Sequence, residues 1–296
     1  LHGGQHLGFI LDPASCSYDP TKDPAVLCLS EGGSNATSTC VTRTQAMAIN
    51  KAWYGETSDG SFPDPAVDNG ARPTLGPKQR WYGLSRGTEV NLSGTTNDLL
   101  SGLIALSLQN SPLGGPSFTN ATGNGASGYK QLSYAQLDNA FDRGLALNPS
   151  VFAGLNSDDP DLSKFKARGG KLIHYHGNAD ELIMAWGSSN YYERVIATMG
   201  GLALVQSFYR YFEIPGNGHG SYNGTANPDA NPPVPALDQM YKALTNWVER
   251  DVPPDGLVLN SLTAVPVAKS LAIRSYPRKI SYVSGDVNMA SSFTCR

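Results

Sequence analysis

"LIHYHGNADELI", residues 172–183, decides the fold of this chain. Five mostly apolar, β-prone residues run into His-Gly, then Asn-Ala-Asp, then apolar residues again. Such a run closed by turn residues reads as a strand. "SNYYERVIATMGG" (189–201) follows and reads as a helix, with Ser189 as N-cap and Gly200 as its stop. "SFYRYFEI" (207–214) is β-prone and ends at Pro215. "PALDQMYKALTNWVERDVPP" (235–254) reads as an amphipathic helix. Its Leu237, Met240, Tyr241, Leu244, Trp247 and Val248 repeat at helical spacing, which predicts one buried face. Strand, helix, strand, helix predicts parallel strands with crossover helices, an α/β layer.

In such a sheet ligands bind beyond the carboxyl ends of the strands. Asp180 follows one predicted strand end and His219 follows the next, thirty-nine residues on. A carboxylate and an imidazole delivered to one edge are what an esterase needs. The carboxylate holds the Nδ1 proton, and the other ring nitrogen takes a proton from a serine. In α/β-hydrolases the chain order is Ser, Asp, His, which this pair fits. A loop Asp is often only a turn former, and a His among glycines only a turn residue; it is the pairing after consecutive strands that favours chemistry. His174 and His176 lie on the strand and read as structural. His2 and His6 lie near a free end and point to nothing specific.

The chain changes character near residue 150. Earlier residues are rich in Gly, Pro, Asn, Ser and Asp, as in "YGETSDGSFPDPAVDNGARPTLGP" (54–77). Helical patches stand out at "TRTQAMAINKAWYG" (42–55) and "TNDLLSGLIALSLQN" (96–110). Long irregular segments of this kind serve as lids or binding loops. The division expected is a lid over 1–150 and part of a catalytic domain over 151–296.

Composition narrows the function classes. The net charge is −3 and no Lys/Arg run occurs, so a nucleic-acid partner has no support. No stretch is long and apolar enough to span a membrane. Four Asn-X-Ser/Thr triplets, at Asn35, Asn91, Asn120 and Asn223, favour a secreted, extracellular glycoprotein. The four cysteines, Cys16, Cys28, Cys40 and Cys295, show no metal-ligand spacing and read as disulfide-formers. "LHGGQHLGFI" lacks the marks of a signal peptide, which points to a mature or processed chain.

"LNSDDPDLSKFKARGGKLIHYHGNADELI" (155–183) closely resembles the segment leading to the catalytic Asp in the tannase and feruloyl esterase family, which also contains the mono(hydroxyethyl) terephthalate hydrolases. "YFEIPGNGHG" (211–220) and "ALTNWVERDVPPDGLV" (243–258) resemble that family's catalytic-His loop and the helix after it. "DPASCSYDP" (12–20), "LCLSEGG" (27–33), "TRTQAMAINKAWYG" and "WYGLSRGT" (81–88) resemble its lid insertion. The resemblance implies the C-terminal half of an α/β-hydrolase with a large, loop-rich lid. It implies a serine-type carboxylic ester hydrolase acting on phenolic or other aromatic acid esters, of feruloyl or galloyl type. Asp180 and His219 would complete its triad, and no cofactor is required.

The departures matter as much. The family's Cys-Ser-X-Gly-Gly nucleophile motif has no match in the expected place. The expectation is that the chain begins inside the lid and that an N-terminal fragment or partner chain carries the serine. "CLSEGG" (28–33) offers Ser30, but "SNATSTC" (34–40) after it is a poor helix, so a disulfide-linked lid loop is the better reading. The family's His-Cys is here His219-Gly220. A calcium ion in the lid stays open as a structural ion without a located site; His2 and His6 stand roughly where acidic ligands are expected, although Asp12 remains. Cys28 with Cys40 closes a short loop and is the preferred bridge. Cys16 and Cys295 are left free, bonded to each other, or bonded to another chain.

Trp53, Tyr54, Trp81 and Tyr82 are aromatic candidates for the substrate pocket, though lid aromatics more often form lid core, so no binding residue is singled out. A competing class is a non-catalytic binding or partner subunit on a hydrolase scaffold, since fold does not imply function. A metal enzyme finds no His/Asp/Glu cluster to support it.

Overall fold

The computed structural model describes residues 6–90 and 98–296. Its helices are α1 (Arg43–Tyr54), α2 (Asp98–Ser107), α3 (Tyr134–Leu147), α4 (Ser163–Ala167), α5 (Ala185–Thr198), α6 (Leu202–Gln206) and α7 (Gln239–Arg250). Its strands are β1 (Thr119–Asn120), β2 (Gly123–Asn124), β3 (Leu172–Gly177), β4 (Tyr209–Ile214), β5 (Gly256–Asn260), β6 (Ser270–Arg274), β7 (Ile280–Tyr282) and β8 (Phe293–Cys295).

The strand–helix–strand reading is realised by β3 and β4. They pair in parallel, Leu172 opposite Tyr209 through Gly177 opposite Ile214, with α5 and α6 between them in the chain. β4 is buried on both faces, and its residues alternate between two cores. Phe212 and Ile214 enter one with Leu259, Leu271, Ile273 and Phe293; Tyr209 and Tyr211 enter the other with Tyr192, Val195, Val205 and Tyr276. This is the period-two alternation of a strand sandwiched between two apolar layers. Each such side chain contributes roughly 1.5–3 kcal/mol by leaving water. Leu7, Phe9 and Leu11 from the start of the chain join the first core. β5–β6 and β7–β8 are antiparallel pairs, which the sequence reading did not foresee.

Two helix expectations need correction. Ser189 is not an N-cap: α5 begins at Ala185, after Met184, which makes no side-chain cap. Burial of Ala185 and Trp186 draws an extra turn against the sheet, and the Ser189 hydroxyl is committed to Glu213 and Tyr211 instead. Gly200 does end the helix region, in a left-handed conformation at φ +90°. The buried face expected on the last helix is only partly buried. Trp247 is 2% exposed and Met240 packs on the first core, but Tyr241 is 70% exposed and Leu237 and Val248 are also open. Periodicity identified the stripe correctly; among the described residues no layer covers its outer part.

Two of the helices before residue 150 start at side-chain caps. Thr42 and Gln45 make a reciprocal capping box at α1, as do Ser133 and Gln136 at α3. Residues 55–90 hold no helix or strand, only an isolated bridge between Thr57 and Gln79. Buried Arg86 ties this segment together, donating to the carbonyls of Tyr18 and Asn69. A disulfide joins Cys28 and Cys40, whose Cα atoms lie 4.8 Å apart. Cys16 and Cys295 are free thiols. No helix among the described residues is long and apolar enough to cross a membrane.

Candidate active site

The site sits at the carboxyl end of the parallel pair. Beyond the last pairing, the loops after β3 and β4 stay knitted together: Asn178 N–H donates to the Ile214 carbonyl at 2.8 Å, and Ala179 N–H to that of Asn217 at 3.0 Å. Gly177 makes this approach possible, because a Cβ there would lie 2.3 Å from the Asn217 carbonyl oxygen.

Asp180 and His219 meet across this junction. His219 Nδ1 lies 3.1 Å from Asp180 Oδ2 and 3.2 Å from Oδ1. A carboxylate only accepts, so Nδ1 carries the proton. Nε2 then presents its lone pair, and among the described residues it has no hydrogen-bond partner. The His219 side chain is 45% exposed and Asp180 only 6%. A buried acid thus orients an accessible base.

Four donors converge on Asp180. Oδ1 accepts Leu182 N–H at 2.9 Å and Ile183 N–H at 2.8 Å, closing a turn. The other two donors are His219 and His176. Burial works to raise the carboxyl pKa, but the bonds from His176, the two N–H groups and His219 outweigh it and bring it down to about 2. The group is ionised throughout the neutral range.

His176 is the contact that sequence reasoning did not connect to the site. Its Nε2 lies 3.1 Å from Asp180 Oδ2 and 3.1 Å from the Ile183 carbonyl, both acceptors, so Nε2 carries the proton. Its Nδ1 then accepts the Ser188 hydroxyl at 2.7 Å. The strand-borne histidine is scaffold, as read, but scaffold for the acid itself. The signal was available: His176 and Asp180 flank the turn four residues apart. His174 is separate. Its ring bonds the Tyr209 hydroxyl, and burial lowers its pKa to about 4.

The other candidates disperse. Ser30 lies exposed on a 3-10 turn inside the disulfide loop. Tyr82 is fully buried, Tyr54 is buried with its hydroxyl on Asp68, and the Arg86 guanidinium lies over Trp53. Trp81 is the exposed member of the four and reaches Gly187 of α5. Asn35, Asn120 and Asn223 share one arrangement: each side-chain oxygen accepts both the N–H and the hydroxyl of the Thr two residues on. Asn91 and His2 lie outside the described residues.

Of the residues named for calcium, His6 and Asp12 lie among the described residues. Asp12 Oδ1 caps a turn at Ala14 N–H and lies 3.9 Å from the Lys279 ammonium, while His6 would offer a nitrogen to an oxygen-seeking ion. No cluster of three or more His, Cys, Asp or Glu side chains able to hold a metal occurs among the described residues.

The family model described as "Tannase and feruloyl esterase" matches residues 2–296. A probable feruloyl esterase of Arthroderma benhamiae is 34% identical over 167 residues, covering 55% of this chain and 29% of that protein. An uncharacterized esterase of Xanthomonas campestris is 26% identical, covering 97% of this chain and 50% of that protein. The crystal structure of feruloyl esterase B from Aspergillus oryzae superposes with a TM-score of 0.62 at 23% identity, over 99% of this chain and 53% of that one. Tannin acyl hydrolase from Aspergillus niger gives a TM-score of 0.59 at 20% identity, over 87% and 43%. The chain spans half or less of the length of these sequence relatives. The fold they share with it is that of the α/β-hydrolases.

Proposed function

The chain belongs to the tannase and feruloyl esterase family, and from that premise we propose that it carries the acid and base of a serine carboxylic ester hydrolase acting on phenolic acid esters. The observation that carries the reading is the His219 Nδ1 contact with both oxygens of buried, ionised Asp180. His219 Nε2 takes the proton of a serine as that serine attacks the ester carbonyl. It then returns the proton to the departing alcohol. Asp180 holds the ring in one tautomer and stabilises the imidazolium between those steps. His176 holds Asp180 from behind.

The serine comes from a segment or chain outside these 296 residues. Two observations support this. Among the described residues β3 pairs with β4 alone, which leaves its other edge for a further strand. The outer stripe of α7, with Tyr241 and Val248, offers apolar surface for a covering layer. Secretion and glycosylation at Asn35, Asn91, Asn120 and Asn223 belong to the same proposal and rest on the four acceptor triplets.

The test is hydrolysis of methyl ferulate, methyl gallate and a non-aromatic methyl ester by the complete protein, wild type and His219→Ala. Loss of the base is expected to lower kcat by at least about a thousandfold on the aromatic esters. Equal rates in the two proteins would end the assignment. A wild type that binds these esters and cleaves none would favour the binding-subunit reading.

A further inference from the structure

Asp180 grips the side chain of His219; its neighbour Glu181 grips the main chain. The His219 N–H points at Glu181 Oε2, 3.3 Å away. Glu181 Oε1 accepts the hydroxyl of Tyr222, three residues beyond the histidine. One carboxylate thus receives donors from both arms of the turn that presents the imidazole. The bond to Glu181 also pushes the Tyr222 hydroxyl up to about 12, so it stays protonated and donating.

The turn is shaped for this contact. Gly218 N–H donates to the Tyr222 carbonyl at 2.9 Å, and Asn217 pairs with Asn223 at the base. The Tyr222 ring lies across the glycines: a Cβ on Gly218 would meet Tyr222 Cε2 at 2.5 Å and Glu181 Oε2 at 3.0 Å. Within the turn, Asn217 Nδ2–H donates to the Gly218 carbonyl of the His219 peptide at 3.1 Å; Glu181 adds the bond that ties this peptide to the loop carrying the acid.

We infer that Glu181 and Tyr222 are positioning residues for His219: together they clamp its turn onto the Asp180 loop and hold Nδ1 on the carboxylate. The inference rests on the acid–base reading of the Asp180–His219 pair and adds to it the device that maintains the pair. Catalysis gains from such preorganisation because the base need not be reoriented as the proton moves.

The test reads the contact and needs no turnover. The protein is labelled with 15N-histidine, and solvent exchange of the His219 Nδ1 proton is followed by NMR, with His219→Ala identifying the signal. The wild type should show a slowly exchanging proton. Exchange should rise roughly tenfold in Glu181→Ala, which removes both bonds, and less in Tyr222→Phe and Glu181→Gln, which each keep one. The His174 and His176 ring signals should stay in place and report an intact fold. Tyr222→Phe removes only one oxygen from a half-exposed ring, so the comparison survives even if a Glu181 variant folds poorly. Unchanged exchange in both Tyr222→Phe and Glu181→Gln would overturn the clamp and leave the acid–base pair standing. Absence of the protected proton in the wild type would overturn both.

Discussion

Replacing Asp180 with Asn keeps the shape of the side chain and removes its charge, and the structure sets the size of the effect. Four donors meet the carboxylate, and they hold its pKa at about 2 against an ordinary 3.8. That difference corresponds to about 2 kcal/mol favouring the folded chain when the group is ionised. The contribution is present at any pH above the unfolded-state value and is lost as pH falls through the folded one. Asp180→Asn should therefore cost about 2 kcal/mol at neutral pH, with some addition because an amide N–H₂ now faces imidazole N–H donors. Urea unfolding of both proteins, followed by tryptophan fluorescence across a pH series, measures the gap. It should hold steady from neutrality to roughly pH 5 and shrink between about pH 4 and 2, as the wild-type carboxyl becomes neutral like the amide. A gap that is absent at neutral pH, or that persists undiminished to pH 2, would refute the convergence of donors on this one group.

Other outcomes follow from the same structure. Gly177→Ala places a methyl on the Asn217 carbonyl and should cost about 1–3 kcal/mol, read as a lower urea midpoint. Trp247→Ala should cost about 3–5 kcal/mol in this chain, whereas Tyr241→Ala on the same helix should stay within about 0.5 kcal/mol, both by urea unfolding. Removing the Cys28–Cys40 bridge with the double Cys→Ser variant opens a loop of sequence separation 12 and should cost about 3 kcal/mol, measured as a drop in Tm.

What the sequence revealed and what it hid divide along physical lines. The β3 and β4 strands were legible because apolar runs closed by His-Gly and Pro-Gly leave little else for the backbone to do. The meeting of Asp180 and His219 was legible because each follows a strand end, where loops of a parallel pair converge. For His176 only the four-residue spacing across the turn from Asp180 was legible, since no periodicity encodes a ring reaching back to the carboxylate. Ser189 misled because a serine before a helical pattern is a cap only if its hydroxyl has no better partner, and Glu213 is one. The stripe on α7 was read correctly as apolar; whether a stripe is covered depends on what packs against it. The strands of β5–β6 and β7–β8 are too short for a period to show, and β7 and β8 pack on β6, which in turn packs on β4.

The central claim is that Asp180 acts only through His219, and a double-mutant cycle on hydrolysis of a phenolic ester tests it most directly. The account predicts that kcat/KM of the Asp180→Asn, His219→Ala double variant of the complete protein equals that of His219→Ala alone, because a carboxylate without its imidazole has nothing to orient. Additive losses from the two substitutions would contradict it.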